Sequence, residues 1–104
     1  MKGENMTATN VVSLNFKSEE AMEEFLEMYE RDSPKLFPDA EMLMMIKTTG
    51  TNCLGISVYP TAEARETSRK RAESRVLGEL KHLFQEDFRL AGEVVVKHIF
   101  KTGL

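Results

Sequence analysis

The chain has no tryptophan, one cysteine and three prolines among 104 residues. A single thiol, Cys53, can neither close an internal disulfide nor share a metal with a second thiol, so a reducing compartment is compatible with the composition. No apolar run approaches the length needed to span a bilayer, and the polar residues 1–10 lack the hydrophobic stretch of a secretory leader, so a cytoplasmic location is expected. Positive charge is also short. The formal net charge of -3 argues against general affinity for nucleic acid or acidic membranes, which needs clustered cations to displace counterions. No metal-ligand spacing, glycine-rich phosphate loop or nucleophile elbow is present, so neither a metal nor a cofactor is expected.

What is present suits one soluble domain spanning 1–104, with 41% hydrophobic and 30% charged residues and a frayed stretch at 1–6. Residues 11–17 alternate, with Val12, Leu14 and Phe16 on one face, as a half-buried strand requires. Ser18 is placed to cap a helix whose first turn carries Glu19 and Glu20, and Met22, Phe25, Leu26 and Tyr29 form its apolar stripe. Because Ser33 precedes Pro34, this helix should stop near Asp32, with one short extra turn at 34–37.

A hairpin follows. Residues 41–47 are apolar on both faces, whereas 53–59 divide into Leu54, Ile56 and Val58 against Cys53, Gly55, Ser57 and Tyr59. A strand apolar on both sides is covered on both sides. Loop length does not fix which faces pair, since a one-residue slip exchanges them. Thr61 is a plausible cap for a second helix, charged at first and then apolar through Leu80, Leu83, Phe84 and Phe88, with Gly78 marking a change of axis. The valines at 94–96 predict a last strand over 93–100.

The order β-α-β-β-α-β predicts an α+β, ferredoxin-like fold, a four-stranded antiparallel sheet with two helices on one face. On the open face the alternation places Val11, Ser13 and Asn15 with Cys53, Gly55, Ser57 and Tyr59, and a homodimer through that face is inferred. Seven acidic residues and one basic residue between 18 and 32 oppose five basic and two acidic between 65 and 75, so the two helices are expected to complement each other in charge. The competing use of the basic run is to bind an anion.

The segment Ile56-Ser57-Val58-Tyr59-Pro60-Thr61-Ala62-Glu63-Ala64, leaving a strand for a charged helix, and Gly92-Glu93-Val94-Val95-Val96, opening a last strand, resemble the antibiotic-biosynthesis monooxygenase superfamily of dimeric α+β barrels. The resemblance covers nearly the whole chain. It implies a cleft between helices and sheet and a dimer through the opposite face, in a group that holds cofactor-independent oxygenases, haem-degrading enzymes and proteins without known activity. The haem-degrading branch carries an asparagine early in β1, a tryptophan ending β3 and a histidine on the next helix. Asn10 matches the first; Tyr59 stands in place of the tryptophan, and neither His82 nor His98 has the spacing of the third, so haem degradation is disfavoured.

Candidate catalytic residues are therefore Asn10, Tyr59 and His98, with Leu14, Met22, Phe25 and Ile56 as ligand-binding residues. Each has a structural alternative. His98 suits a sheet margin, the methionines suit core or dimer contacts, and Cys53 suits a small buried residue. Three functions compete: an oxygenase-type enzyme for a flat hydrophobic molecule, a non-catalytic ligand-binding or regulatory homodimer, and an RNA binder. The last lacks stacking aromatics on β1 and β3, where Ser13, Asn15, Cys53 and Gly55 stand.

Overall fold

The computed structural model describes residues 7–100, save for the side chains of 75–77 and 86; the frayed stretch expected at 1–6 lies outside it. The chain forms β1 (Thr7–Phe16), α1 (Glu19–Leu36), β2 (Met42–Lys47), β3 (Asn52–Tyr59), α2 (Ala62–Arg71) and β4 (Phe84–Val94). All pairings are antiparallel in the order β2-β3-β1-β4, the ferredoxin-like arrangement.

Both caps are where the sequence puts them. The Ser18 hydroxyl accepts from the Ala21 N–H and the Thr61 hydroxyl from the Ala64 N–H, each at 3.0 Å, satisfying an otherwise orphaned donor. Helix α1 does not stop at Asp32. It runs through Pro34 to Leu36, because a proline in the last turn removes one N–H while the Phe37 N–H still closes the turn on the Ser33 carbonyl at 2.9 Å. At the hairpin, Gly50 takes the left-handed conformation (φ 60°) that a side chain would strain, and Asn52 N–H donates to Thr49 O across the turn.

The hairpin register overturns the expected faces. Leu14 lies opposite Cys53, Val12 opposite Gly55, Asn10 opposite Ser57 and Ala8 opposite Tyr59, so Cys53, Gly55, Ser57 and Tyr59 face the helices. Leu54, Ile56 and Val58 take the open face instead, beside Ile46, Met44 and Met42 of β2. Parity is strict along a strand, so fixing one pair fixes all of them.

The last strand is also displaced. It occupies Phe84–Val94 rather than 93–100, and Gly92-Glu93-Val94 closes it instead of opening it. Helix α2 accordingly ends early. It widens into a π-helical stretch (Ala72–Leu77), returns to one α-helical turn at Gly78–Leu80 and leaves through a 3₁₀ turn (Lys81–Leu83). A bulge opposite Asn15 and Phe16 shifts the register, turning Phe84 into the core while Phe88, of the same parity, is 62% exposed.

The core lies between α1 and the sheet: Leu14, Phe16, Met22, Phe25, Cys53, Leu83 and Phe84 are buried. Phe16, Phe25 and Phe84 form a triangle with ring centroids 5.2 to 5.5 Å apart, and the row continues to Tyr29 and Phe37. The expected complement between acidic α1 and basic α2 takes another form. Arg69 pairs with Glu66 and Glu73 of its own helix, while Arg71 reaches α1 only through the Leu36 carbonyl, at 3.4 Å.

Cys53 is fully buried at the centre of this core. Burial pushes its thiol up, against a lowering influence of Lys47. Alkylation of the native protein should therefore run about a hundredfold or more slower than in urea, and rapid native modification would contradict the packing.

Candidate functional site

Between the sheet and the helices lies a cavity of about 210 Å³. Its floor is two cross-strand rows. One runs Met45, Gly55, Val12, Arg89 and the other Leu43, Ser57, Asn10, Ala91, each in the order β2, β3, β1, β4. The cavity exists because parts of that floor are low: Gly55 and Ser57 on β3 and Ala91 on β4 stand where bulky side chains would meet the helices. A methyl group on Gly55 would come within 2.9 Å of a Val12 methyl and 3.0 Å of the Met45 tip. Phe25, Tyr29 and Phe37 from the α1 side and Ser68, Arg69 and Ala72 from the α2 side close it, with Leu14 and Tyr59 completing the wall.

The lining is predominantly apolar and, among the described residues, contains no aspartate, glutamate, histidine or lysine. Its polar groups are the Asn10 amide, the Ser57 and Ser68 hydroxyls, the two phenols and the two guanidiniums. Burial, and secondarily the charge of Tyr59, pushes the Tyr29 phenol from 10.0 up to about 12. Tyr29 is thus a hydrogen-bond donor at neutral pH and not a base. Ser68 is 0% exposed, and among the described residues its Oγ has no hydrogen-bond partner. Among the described residues no cluster of three acids, histidines or cysteines is placed to hold a metal.

The fold brings together Asn10, Leu14, Phe25, Ile56 and Tyr59 of the expected residues. Tyr59, expected on the open face, is instead 1% exposed on the helix side. Ile56 borders the floor from a position whose parity belongs to the open face, and Met22, 0% exposed, belongs to the core and not to the lining. His98 is not on the cavity; it lies beyond β4, exposed, with its ring stacked on Phe100 at 6.0 Å. Sequence reasoning misses Tyr29 as a polar group, along with Ser68 and Arg89, whereas Arg69 belongs to the basic run (Arg65, Arg69, Lys70, Arg71 and Arg75) whose competing use is anion binding. The only sequence signal for Ser68 was a small residue within a charged run.

The Tyr29 environment gives a test in alkali. The raised value means the fold favours the neutral phenol, so its contribution is fully present below about pH 10 and lost as pH rises through about 12. At most about 3 kcal/mol of stability should disappear over that window. Near-ultraviolet titration of the two tyrosines should show a late phenolate step that Tyr29→Phe removes; an unchanged curve in that variant would refute the assignment.

No family model matches the chain, and no curated protein matches it in sequence. Similarity appears at the level of structure. A dimeric ferredoxin-like protein from an uncultured marine organism superposes with TM-score 0.75 at 18% identity, covering 94% of this chain and 96% of that one. A protein of unknown function from Nitrosomonas europaea gives 0.75 at 13%, covering 93% and 97%. A monooxygenase, ActVA-Orf6 of Streptomyces coelicolor, whose structure holds nanaomycin D, gives 0.73 at 9%, covering 95% and 96%. With the strand order and the placement of both helices, these likenesses establish that the chain has the ferredoxin-like α+β fold shared by dimeric ferredoxin-like proteins and antibiotic-biosynthesis monooxygenases.

Proposed function

We propose that the protein is a homodimer that binds one flat, largely apolar small molecule between sheet and helices, and that oxygen-dependent oxidation of a bound quinol is the reaction its site supports best. The observation that carries this reading is the cavity itself: a low floor, an aromatic wall of Phe25, Tyr29 and Phe37, and a few polar groups set among apolar ones. The aromatic wall suits a ring system, and Asn10 and Tyr59 offer an amide and a phenol to orient its oxygens. Among the described residues the lining has no carboxylate or imidazole, which suits a substrate that ionises by its own acidity. Quinols meet that demand. Their oxidation to quinones passes two electrons and two protons to O₂, giving hydrogen peroxide.

The same lack of a base favours a second reading, a ligand-binding dimer without turnover. A naphthoquinol added under air separates the two. Faster quinone absorbance with enzyme, lost in Asn10→Ala, supports oxidation; thermal stabilisation by the ligand without any acceleration supports binding alone. A chain giving neither effect has no ligand site of this kind.

The dimer rests on the open face. In the order β2, β3, β1, β4, Met44, Ile56, Val11 and Leu90 form an unbroken apolar row, flanked by Ile46 and Leu54 on one side and Met42 and Val58 on the other. Met42, Met44, Ile46, Phe88 and Leu90 are between 37% and 62% exposed in the isolated chain. A second copy is the occupant that fits, because a patch this continuous is self-complementary about a two-fold axis and a structural neighbour of the same fold is dimeric.

A further inference from the structure

The cavity floor is graded. Its β2 end is Leu43 and Met45, Gly55 and Ser57 follow on β3, and its β4 end carries Arg89. Arg69 lines the cavity as well, and its partner Glu73 lines an adjoining recess together with Arg89. The acidic partners of the two arginines, Glu66, Glu73 and Asp87, are not on the cavity lining. Ser68 also lines this space, and its hydroxyl is buried and unpartnered among the described residues.

A hydroxyl buried without a partner is costly, and its removal should help a fold that has no other use for it. Resting on the reading of this cavity as a ligand site, we propose that Ser68, Arg69 and Arg89 receive a carboxylate carried by a small aromatic ring system. Ser68 donates to one carboxylate oxygen, Arg69 and Arg89 offer the N–H groups that Glu66, Glu73 and Asp87 leave unused, and the ring lies toward Met45 and Leu43. The volume of about 210 Å³ admits one or two fused rings and not a long chain.

The test compares 2-naphthoate with its neutral analogue 2-naphthylmethanol by calorimetric titration of the wild-type protein and of Ser68→Ala, Arg89→Gln and Gly55→Val. Wild type should prefer naphthoate at least tenfold, and Ser68→Ala and Arg89→Gln should each erase most of that preference. Gly55→Val, whose side chain must displace those of Val12 and Met45, should abolish binding of both probes while circular dichroism confirms that the variant is folded. Without ligand, Ser68→Ala should melt no lower than wild type. Equal affinity for the two probes, a preference untouched in both polar variants, or a lower melting temperature for unliganded Ser68→Ala overturns the carboxylate receptor. Failure of both probes to bind wild type, or their full binding to Gly55→Val, overturns the cavity reading beneath it.

Discussion

Ile56→Asp is expected to convert the proposed dimer, about twice the 11.9 kDa chain mass, into a folded monomer at tens of micromolar. Ile56 sits mid-row on the open face, opposite Met44 on one side and Val11 on the other. In a two-fold interface the same residue is contributed by both copies, so one substitution introduces two carboxylates into an apolar contact. Each would have to be desolvated without a partner, at a cost of several kcal/mol, which is a rise in the dissociation constant of roughly a thousandfold or more. The monomer should keep its helical circular dichroism, because the core lies on the other side of the sheet. Sedimentation velocity across a concentration series checks this. A wild-type chain that is monomeric at these concentrations, or a variant that remains dimeric, would remove the open face as the interface.

The open face also shows what could be read from the sequence and what could not. Val12, Leu14 and Phe16 alternate cleanly, Ser18 and Thr61 are strong caps, and the α1 stripe has one solution, so element order and fold class were legible. The hairpin faces were not. The more apolar side of β3, Leu54, Ile56 and Val58, was assigned to the core by the ordinary rule that apolar residues go inside. The register sends it outward, leaving the smaller set of Cys53, Gly55 and Ser57 under the helices. That inversion leaves an apolar open face, the one proposed to pair with a second copy, and it is also what makes room for the cavity. A shallow floor requires small residues, and small residues look like a solvent face.

The last strand escaped for a different reason. Leu80, Leu83, Phe84 and Phe88 have helical spacing, and the valines at 94–96 are the strongest strand signal nearby. The observed β4 has only weak alternation and a bulge at its start, so neither period describes it well. Its true position brings Arg89 onto the cavity, and His98, counted on as a strand residue, falls outside the site. Part of the candidate site therefore depended on long-range register: Asn10 and Tyr59 could be picked as polar groups, but Arg89 joins Ser68 and Arg69 on one cavity only because β4 lies beside β1.

Phe25→Ala is expected to give the largest loss of stability of any single truncation in the cavity wall. Phe25 is 2% exposed, contacts Phe16 and Phe84 in the core, and stacks on Tyr29 at 5.8 Å with an interplanar angle of 24°. Truncating a buried phenylalanine costs about 3 to 5 kcal/mol, through lost transfer energy and the void left behind. For a domain of this size that is a fall in melting temperature of roughly 15 to 30 °C, measured at fixed protein concentration because the proposed dimerisation would also shift it. The void would open onto the existing cavity, since Phe25 is the partition between the cavity and the Phe16–Phe84 pair. Leu26→Ala, one residue along on a half-buried position, serves as the control and should cost less than half as much. A Phe25→Ala variant melting within about 5 °C of wild type would mean that the aromatic row neither carries the core nor walls the site. A large fall, with the Leu26→Ala variant nearly unaffected, ties cavity and core into one structure, in which the groups that shape the ligand site also hold the sheet to α1.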